Sequence, residues 1–364
     1  MAPTTDAVAR SLARLVNVAP RLRAQLLAWY DAHRRALPWR RAPEPYAVWV
    51  AETMLQQTRV ATVLPYWQRW MDRWPTVAAL AAADPDEVRA LWAGLGYYRR
   101  AIALHHAARE LVAHHRGQVP ADRAALLALP GVGPYTAGAI LSIAFGQPEP
   151  AVDGNVRRVF ARWLDDPAPP PARLERLARA LVDPTRPGDW NQALMELGAL
   201  VCAPRRPACD RCPVAAHCAA FAAGRPAAVP RPRARRARPI ERWVVALAEH
   251  DDHWLVVRRP TTGRFAGLWA PPLVPLPPRA SARATAQAAL HALGLRAAPR
   301  RLVGRHRAEL SHVTLDLVAV HLQASAPALS NDENHRWLPR ATLTTAPLPR
   351  ALRPLVQRLA TPPP

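Results

Sequence analysis

Between residues 21 and 222 apolar side chains recur at helical spacing, as in Leu80, Val88, Leu91 and Trp92, and β-branched alternation is scarce. Prolines at 38, 65, 75, 85, 120, 130 and 148 predict breaks in this run, and Asp84, Asp122 and Asp153 stand where helix N-caps are needed. The pattern predicts an all-α domain over 21–222 behind an N-terminal extension at 1–20. After Pro239 the texture changes. Trp243–Ala248, His253–Val257 and Val313–Leu322 read as strands, with one helical stretch near Arg283–Leu293, so a separate α/β domain is expected over 240–355 with a tail at 356–364. Between the two domains, 223–239 carries six arginines interleaved with prolines and reads as a stiff, charged linker.

Composition narrows the class. Half of the 364 residues are hydrophobic, which excludes wholesale disorder and leaves room for two or three cores. No apolar run approaches the ~18 residues of a membrane span and no signal-peptide pattern is present, so a soluble, intracellular chain with no membrane partner is expected. As separate expectations, not drawn from that absence, the chain is taken as a monomer of the bacterial cytoplasm, at the nucleoid. The 49 cations outnumber 27 carboxylates, for a net charge of +22, and every cation is arginine. A coding bias explains arginine in place of lysine, but not the excess over carboxylates. That excess favours a polyanionic partner, nucleic acid ahead of a membrane surface.

Chemistry enters through four local patterns. Cys202, Cys209, Cys212 and Cys218 fall within 17 residues, spaced C-x6-C-x2-C-x5-C. Disulfides are unexpected inside a cell, zinc sites usually pair two C-x2-C knuckles where only one exists here, and a [4Fe–4S] cluster accommodates uneven spacing. Leu129-Pro130-Gly131-Val132-Gly133 lies between two helical stretches, where two glycines permit a tight turn that offers backbone N–H groups to a phosphate at a helix N-terminus. Asp153 follows in Val152-Asp153-Gly154-Asn155-Val156, where capping the next helix accounts for it equally well. Finally, Glu52 sits within an apolar helical pattern. If buried and unpaired it holds a proton near neutral pH and can act as a general acid; if it faces solvent it pairs with Arg59 or Arg40.

Taken together, cysteine loop, hairpin and aspartate resemble, in order and spacing, the helix-hairpin-helix, endonuclease III-like DNA glycosylases. The segment Trp49–Thr58 resembles the E-x-M-L-Q-Q-T motif of the adenine DNA glycosylases, the MutY family. That resemblance implies a multidomain chain: an all-α glycosylase domain with a [4Fe–4S] loop, followed by a Nudix-like α/β domain. It implies base excision repair, with hydrolysis of the N-glycosidic bond of adenine opposite 8-oxoguanine or guanine in duplex DNA. Glu52 becomes the general acid, Asp153 the partner of the sugar cation, and Tyr135 and Asn155 the residues that orient them. Trp39, Arg40, Leu55 and Gln192 match the adenine pocket. Gln56, Gln57, Thr58, Leu95, Tyr97, Gly131 and Gly133 match DNA-contacting positions.

Two departures carry chemistry of their own. Tyr135 occupies the place of the nucleophilic lysine of bifunctional relatives, and with no lysine anywhere a side-chain Schiff base cannot form, which argues against an oxidised-pyrimidine glycosylase with lyase activity. The C-terminal part resembles a Nudix domain through Phe265–Trp269 and Ser311-His312, yet between Asp252 and Glu309 it holds ten arginines and no carboxylate. Nothing there would bind a divalent cation, so nucleotide hydrolysis is not expected and a DNA-facing surface is. In the family a Phe-Ser-His loop on this domain contacts 8-oxoguanine; here Leu310 precedes Ser311 and His312.

Overall fold

The structure is a computed structural model that describes residues 5–231, 237–260, 262–310, 312–325, 331–343, 346 and 348–360. Its chain divides into two compact units. One comprises 1–83 and 103–234, the other 84–102 together with 235–364.

The first unit is helical. Asp122 caps Arg123–Ala128 by accepting the Ala125 N–H, and Asp153 caps Gly154–Leu164 by accepting the Val156 N–H. Pro38 and Pro45 open helices from the first turn, where a missing N–H costs nothing. Pro65, expected to break a helix, lies inside Val60–Arg73, whose buried Val63, Trp67 and Trp70 hold the helix through the lost bond. The expected N-terminal extension is itself a helix, Thr5–Asn17, followed directly by Ala19–His33. Its Leu15 joins Leu22, Leu26, Phe160, Trp163, Leu177 and Trp190 in one core, because an arginine-rich helix still carries an apolar stripe.

The second unit is built on a mixed seven-stranded sheet: β1 (Ile240–His250), β2 (His253–Arg258), β3 (Trp269–Ala270), β4 (Leu273–Pro275), β5 (Ala297–Glu309), β6 (Thr314–Ala324) and β7 (His335–Pro339). The order is β3-β2-β1-β6-β5, with β4 also paired to β1 and β7 to β2. Among the described residues only β1 and β6 pair in parallel, from Ile240–Thr314 to Glu249–Gln323. Period-two alternation sends Val244, Ala246 and Ala248 to the face covered by helix Ala282–His291. Val245 and Leu247 point to the opposite face, under Leu352, Leu355, Val356 and Leu359. The expected tail therefore starts inside a helix, Arg353–Ala360, that closes this second core.

Segment 84–102 belongs to this unit and carries helix Pro85–Trp92, capped by Asp84. In its first turn, the Asp86 carboxylate accepts from Arg258 Nη2 at 2.7 Å, Trp269 Nε1 at 3.1 Å and Arg336 Nη2 at 3.4 Å, and pairs with Arg89 at 2.8 Å. The guanidinium carbons of Arg258 and Arg336 lie 4.8 and 4.3 Å from the centre of the Trp269 ring. Although burial opposes it, these donors hold the Asp86 carboxyl below the usual aspartate range.

Candidate active site

Helix Pro45–Leu55 is apolar almost all round, and Glu52 on it is only 4 % exposed. Tyr135, in the first turn of Pro134–Phe145, donates its hydroxyl to Glu52 Oε2 at 2.5 Å, with Met195 Sδ at 3.6 Å from the same hydroxyl. Burial is the main influence on Glu52 and pushes its carboxyl up to about 7; the Tyr135 hydrogen bond pulls the other way, the Asp153 charge adds to the rise, and Arg40 opposes it. The Tyr135 hydroxyl is itself pushed well above its ordinary value, first by burial and then by the two carboxylates, so it stays a donor. Of the two sequence readings of Glu52, the buried one holds. Its alternative partner Arg40 instead grips Glu196, which is fully buried, at 2.5 Å alongside Arg35 at 2.7 Å.

Asp153 is anchored on both carboxylate oxygens. Oδ1 accepts the Val156 N–H at 2.7 Å and Oδ2 accepts from Asn155 Nδ2 at 2.9 Å. Burial raises its carboxyl while these bonds and Arg158 lower it, leaving a net rise. One carboxylate oxygen thus caps the helix while the other is held by Asn155. Asn155 accepts in turn from Arg158 Nη2 at 2.9 Å, and Arg158 Nε donates to the Cys202 carbonyl at 2.8 Å. A continuous chain of hydrogen bonds thereby runs from Asp153 to the cysteine loop.

That loop is wound from two short 3₁₀ turns, Cys209–Arg211 and Ala215–His217. Cys202, Cys209, Cys212 and Cys218 line one pocket. Among the described residues no three acidic, histidine or cysteine side chains converge closely enough to hold a single metal ion. A cubane cluster spreads its four ligands over separate corners, so a ring of thiols around one pocket fits a cluster better than a mononuclear centre. As bare thiols, Cys212 and Cys218 are pushed up to about 12 and about 11 by burial. The pattern-based reading missed Arg162, which is 1 % exposed. Its guanidinium donates to the carbonyls of Val229, Cys202, Ala203 and Pro204 at 2.8–3.0 Å and to Cys202 Sγ at 3.0 Å. Arg205, Arg206 and Arg211 on the same loop are exposed.

The remaining candidates scatter by role. Trp39 is buried with its ring 5.5 Å from that of Trp67, which makes it core first, and Gln192 is buried one turn before Glu196. Leu55 is half-buried at the end of the Glu52 helix. Beyond it Gln56 donates to Thr136 Oγ1 at 3.3 Å, Gln57 has a left-handed φ of 57°, and Thr58 Oγ1 donates to the Gln56 carbonyl at 3.4 Å. Between helices Arg123–Ala128 and Pro134–Phe145 the hairpin turn closes on a bond from Val132 N–H to the Leu129 carbonyl. Gly131 there has φ 80° and a Cβ would come 2.7 Å from the Ala103 Cβ, whereas Gly133 is extended with open space.

In the second unit Tyr97 has φ 49° and is 43 % exposed, with Arg100 5.5 Å from its ring centre. Strain in αL at a non-glycine residue concentrates at functional sites. Leu95, by contrast, is 6 % exposed, so its side chain packs beneath the turn and offers DNA no surface in this conformation. His312 is exposed, and Ser311 lies outside the described residues, as do 232–236 of the arginine-rich linker.

Residues 50–184 match the model of the HhH-GPD superfamily base excision DNA repair proteins, and 243–358 match the NUDIX domain. The adenine DNA glycosylase of Homo sapiens is 38 % identical over 397 residues, covering 91 % of this chain and 72 % of that protein. The adenine DNA glycosylase of Mycolicibacterium smegmatis is 44 % identical over 224 residues, 60 % of this chain and 76 % of its own. Among solved structures, a thermostable thymine-DNA glycosylase superposes with a TM-score of 0.54 at 28 % identity, covering 57 % of this chain and 98 % of its own. An endonuclease III in a non-covalent DNA complex shares the fold, with a TM-score of 0.50 at 23 % identity over 57 % of this chain and 97 % of its own. No helix among the described residues is long and apolar enough to cross a membrane. With a helical glycosylase unit, a Nudix α/β unit and relatives matched over most of both, the chain belongs to the adenine DNA glycosylase family.

Proposed function

We propose that this enzyme excises adenine from duplex DNA where it lies opposite 8-oxoguanine or guanine, by hydrolysis and without a lyase step. The observation that carries the reading is Glu52, a buried carboxyl held at about 7 beside a second, hydrogen-bonded carboxyl, Asp153. Two carboxyl groups in different surroundings are what glycosidic hydrolysis uses, one as acid and one facing the cationic sugar. Once the adenine is extruded, the Glu52 proton passes to its N7. The C1′–N9 bond then breaks with its electron pair leaving on a neutral base, while Asp153 stabilises the sugar cation. Water adds to C1′, and the proton it releases restores Glu52. Tyr135 and Asn155 keep the carboxyl groups aimed, while Gln192 and Leu55 line the base's side of the pocket. The exposed Tyr97 turn, the Gln56–Thr58 corner, the Gly131–Gly133 hairpin and the Ser311-His312 loop meet the DNA.

We further propose that Cys202, Cys209, Cys212 and Cys218 hold a [4Fe–4S] cluster. When bound it would cross-link the four thiolates of this loop; excision transfers no electrons. Arg162 and Arg158 tie that anchor to the helix that carries Asp153.

The test is single-turnover cleavage of a duplex with adenine opposite 8-oxoguanine, sampled with and without hot alkali. Strand breaks that need alkali, and that vanish in Glu52→Gln, are the expected result. Breaks without alkali overturn the hydrolytic reading, and no product from cluster-loaded enzyme overturns the substrate.

A further inference from the structure

Within the second unit, Glu241 and Arg264 form a bidentate pair: Arg264 Nη2 donates to Oε1 at 2.5 Å and Nε to Oε2 at 3.1 Å. Trp243 Nε1 also donates to Oε2, at 3.1 Å. The third arm of the guanidinium, Nη1, lies 2.5 Å from His312 Nε2. A guanidinium has five donors and no acceptor, and it does not give up its proton in proteins. The contact is therefore a hydrogen bond only if His312 Nε2 carries a bare lone pair, which places the imidazole proton on Nδ1.

We propose that Arg264 is a positioning residue that locks His312 in the Nδ1–H tautomer, so that this side chain recognises an oxygen acceptor on nucleic acid and no donor. The anchoring is directional. Glu241 takes two of the guanidinium's donor sites, is itself fixed by Trp243, and its carboxyl is held low chiefly by Arg264. His312 is exposed, so its Nδ1–H can meet a ligand. Arg264, Arg242 and Arg99 line an open cleft of about 650 Å³ with Trp243, against the single carboxylate of Glu241. Three cations beside an aromatic face suit a phosphate-bearing strand. This deepens the proposed function. An 8-oxoguanine offers O8 where guanine has only C–H, and either strand offers phosphate oxygens; both are acceptors.

The tautomer is read without DNA or activity, from two-bond ¹H–¹⁵N correlations of histidine-labelled full-length protein, with His312→Ala assigning the signal. The wild type should show protonated Nδ1 and unprotonated Nε2 at position 312. Arg264→Met should move it towards Nε2–H, the form free histidine prefers, and Glu241→Gln should do so partially. Protonated Nε2 in the wild type, or an unchanged tautomer in Arg264→Met, overturns the proposal whether or not adenine is excised. Single-turnover rates at limiting enzyme then locate the acceptor. A loss of about 3- to 10-fold in Arg264→Met, the worth of one hydrogen bond, is expected. Confined to adenine opposite 8-oxoguanine it identifies O8; equal in the guanine duplex it identifies phosphate. No loss in either duplex overturns the recognition role.

Discussion

The Tyr135 hydroxyl and the Glu52 carboxyl are coupled strongly enough for one atom's removal to move the pH dependence of the reaction. Tyr135→Phe deletes a 2.5 Å hydrogen bond to the carboxylate while keeping the ring that buries it. A hydrogen bond to a charged group contributes about 1.5–3 kcal/mol, and at about 1.4 kcal/mol per pH unit that corresponds to a shift of roughly 1–2 units. The sign follows from which form the bond stabilises. The tyrosine donates to the ionised carboxylate, so its loss favours the protonated acid and moves the group upward from about 7. If the acid form drives excision, the wild-type rate should fall on the alkaline side with a midpoint near 7, and that of Tyr135→Phe about 1–2 units higher. At pH 8 the wild type would keep roughly a tenth of its plateau rate; with a one-unit shift the variant would keep roughly half. The assay is single-turnover adenine excision from pH 5 to 10, each variant normalised to its own plateau, so that a general loss from misplaced groups does not enter. An alkaline limb that stays put or moves downward would refute the assignment of Glu52 as acid and of Tyr135 as the group that tempers it.

Two further outcomes follow from packing. In Arg162→Met the carbonyls and thiol that one buried guanidinium satisfies lose their donors together, so a fall in stability of roughly 3 kcal/mol or more is expected, with lower iron and acid-labile sulfide per purified chain; full iron content and an unchanged Tm would contradict the role given to this side chain. For Gly138→Ala, helix propensity alone predicts a gain of about 1 kcal/mol. An added Cβ would stand 2.0 Å from the Pro150 carbonyl oxygen, just upstream of Asp153. The Tm should therefore drop, by the equivalent of about 3 kcal/mol, and a rise would show that this close approach does not constrain the site.

How much of this was legible in the chain depends on whether a feature is local. Caps are local, and Asp84, Asp122 and Asp153 cap as their positions imply. The family's shared motifs are local too, which is why Glu52, Asp153 and the cysteines could be found together. Strand β5 escaped because arginines at 300, 301, 305 and 307 interrupt its alternation, and only pairing with β6 reveals it. Helix Arg353–Ala360 reads as a short charged tail until the sheet that buries Leu355 and Leu359 exists. Pro65 failed as a breaker because tertiary burial of three neighbours outweighed one missing bond. Arg162 is the plainest case: its partners are mostly main-chain carbonyls of a loop some 40 residues away, so no sequence pattern marks it.

The Asp86 cluster has a consequence in time rather than in space. As the chain leaves the ribosome, the helix that bears Asp86 is followed by Arg258, Trp269 and Arg336 only 172, 183 and 250 residues later. At synthesis rates of about 5–20 residues per second that is a delay of roughly 10–50 s, long compared with the folding of a helical domain. During it the carboxylate has Arg89 and water, and the segment around Tyr97 has yet to acquire the sheet it packs with. A nascent chain halted before residue 258 would therefore carry Glu52 and Asp153 with the Tyr97 turn still unsupported, and the turn from partial to complete chain would come with the arrival of the last strand.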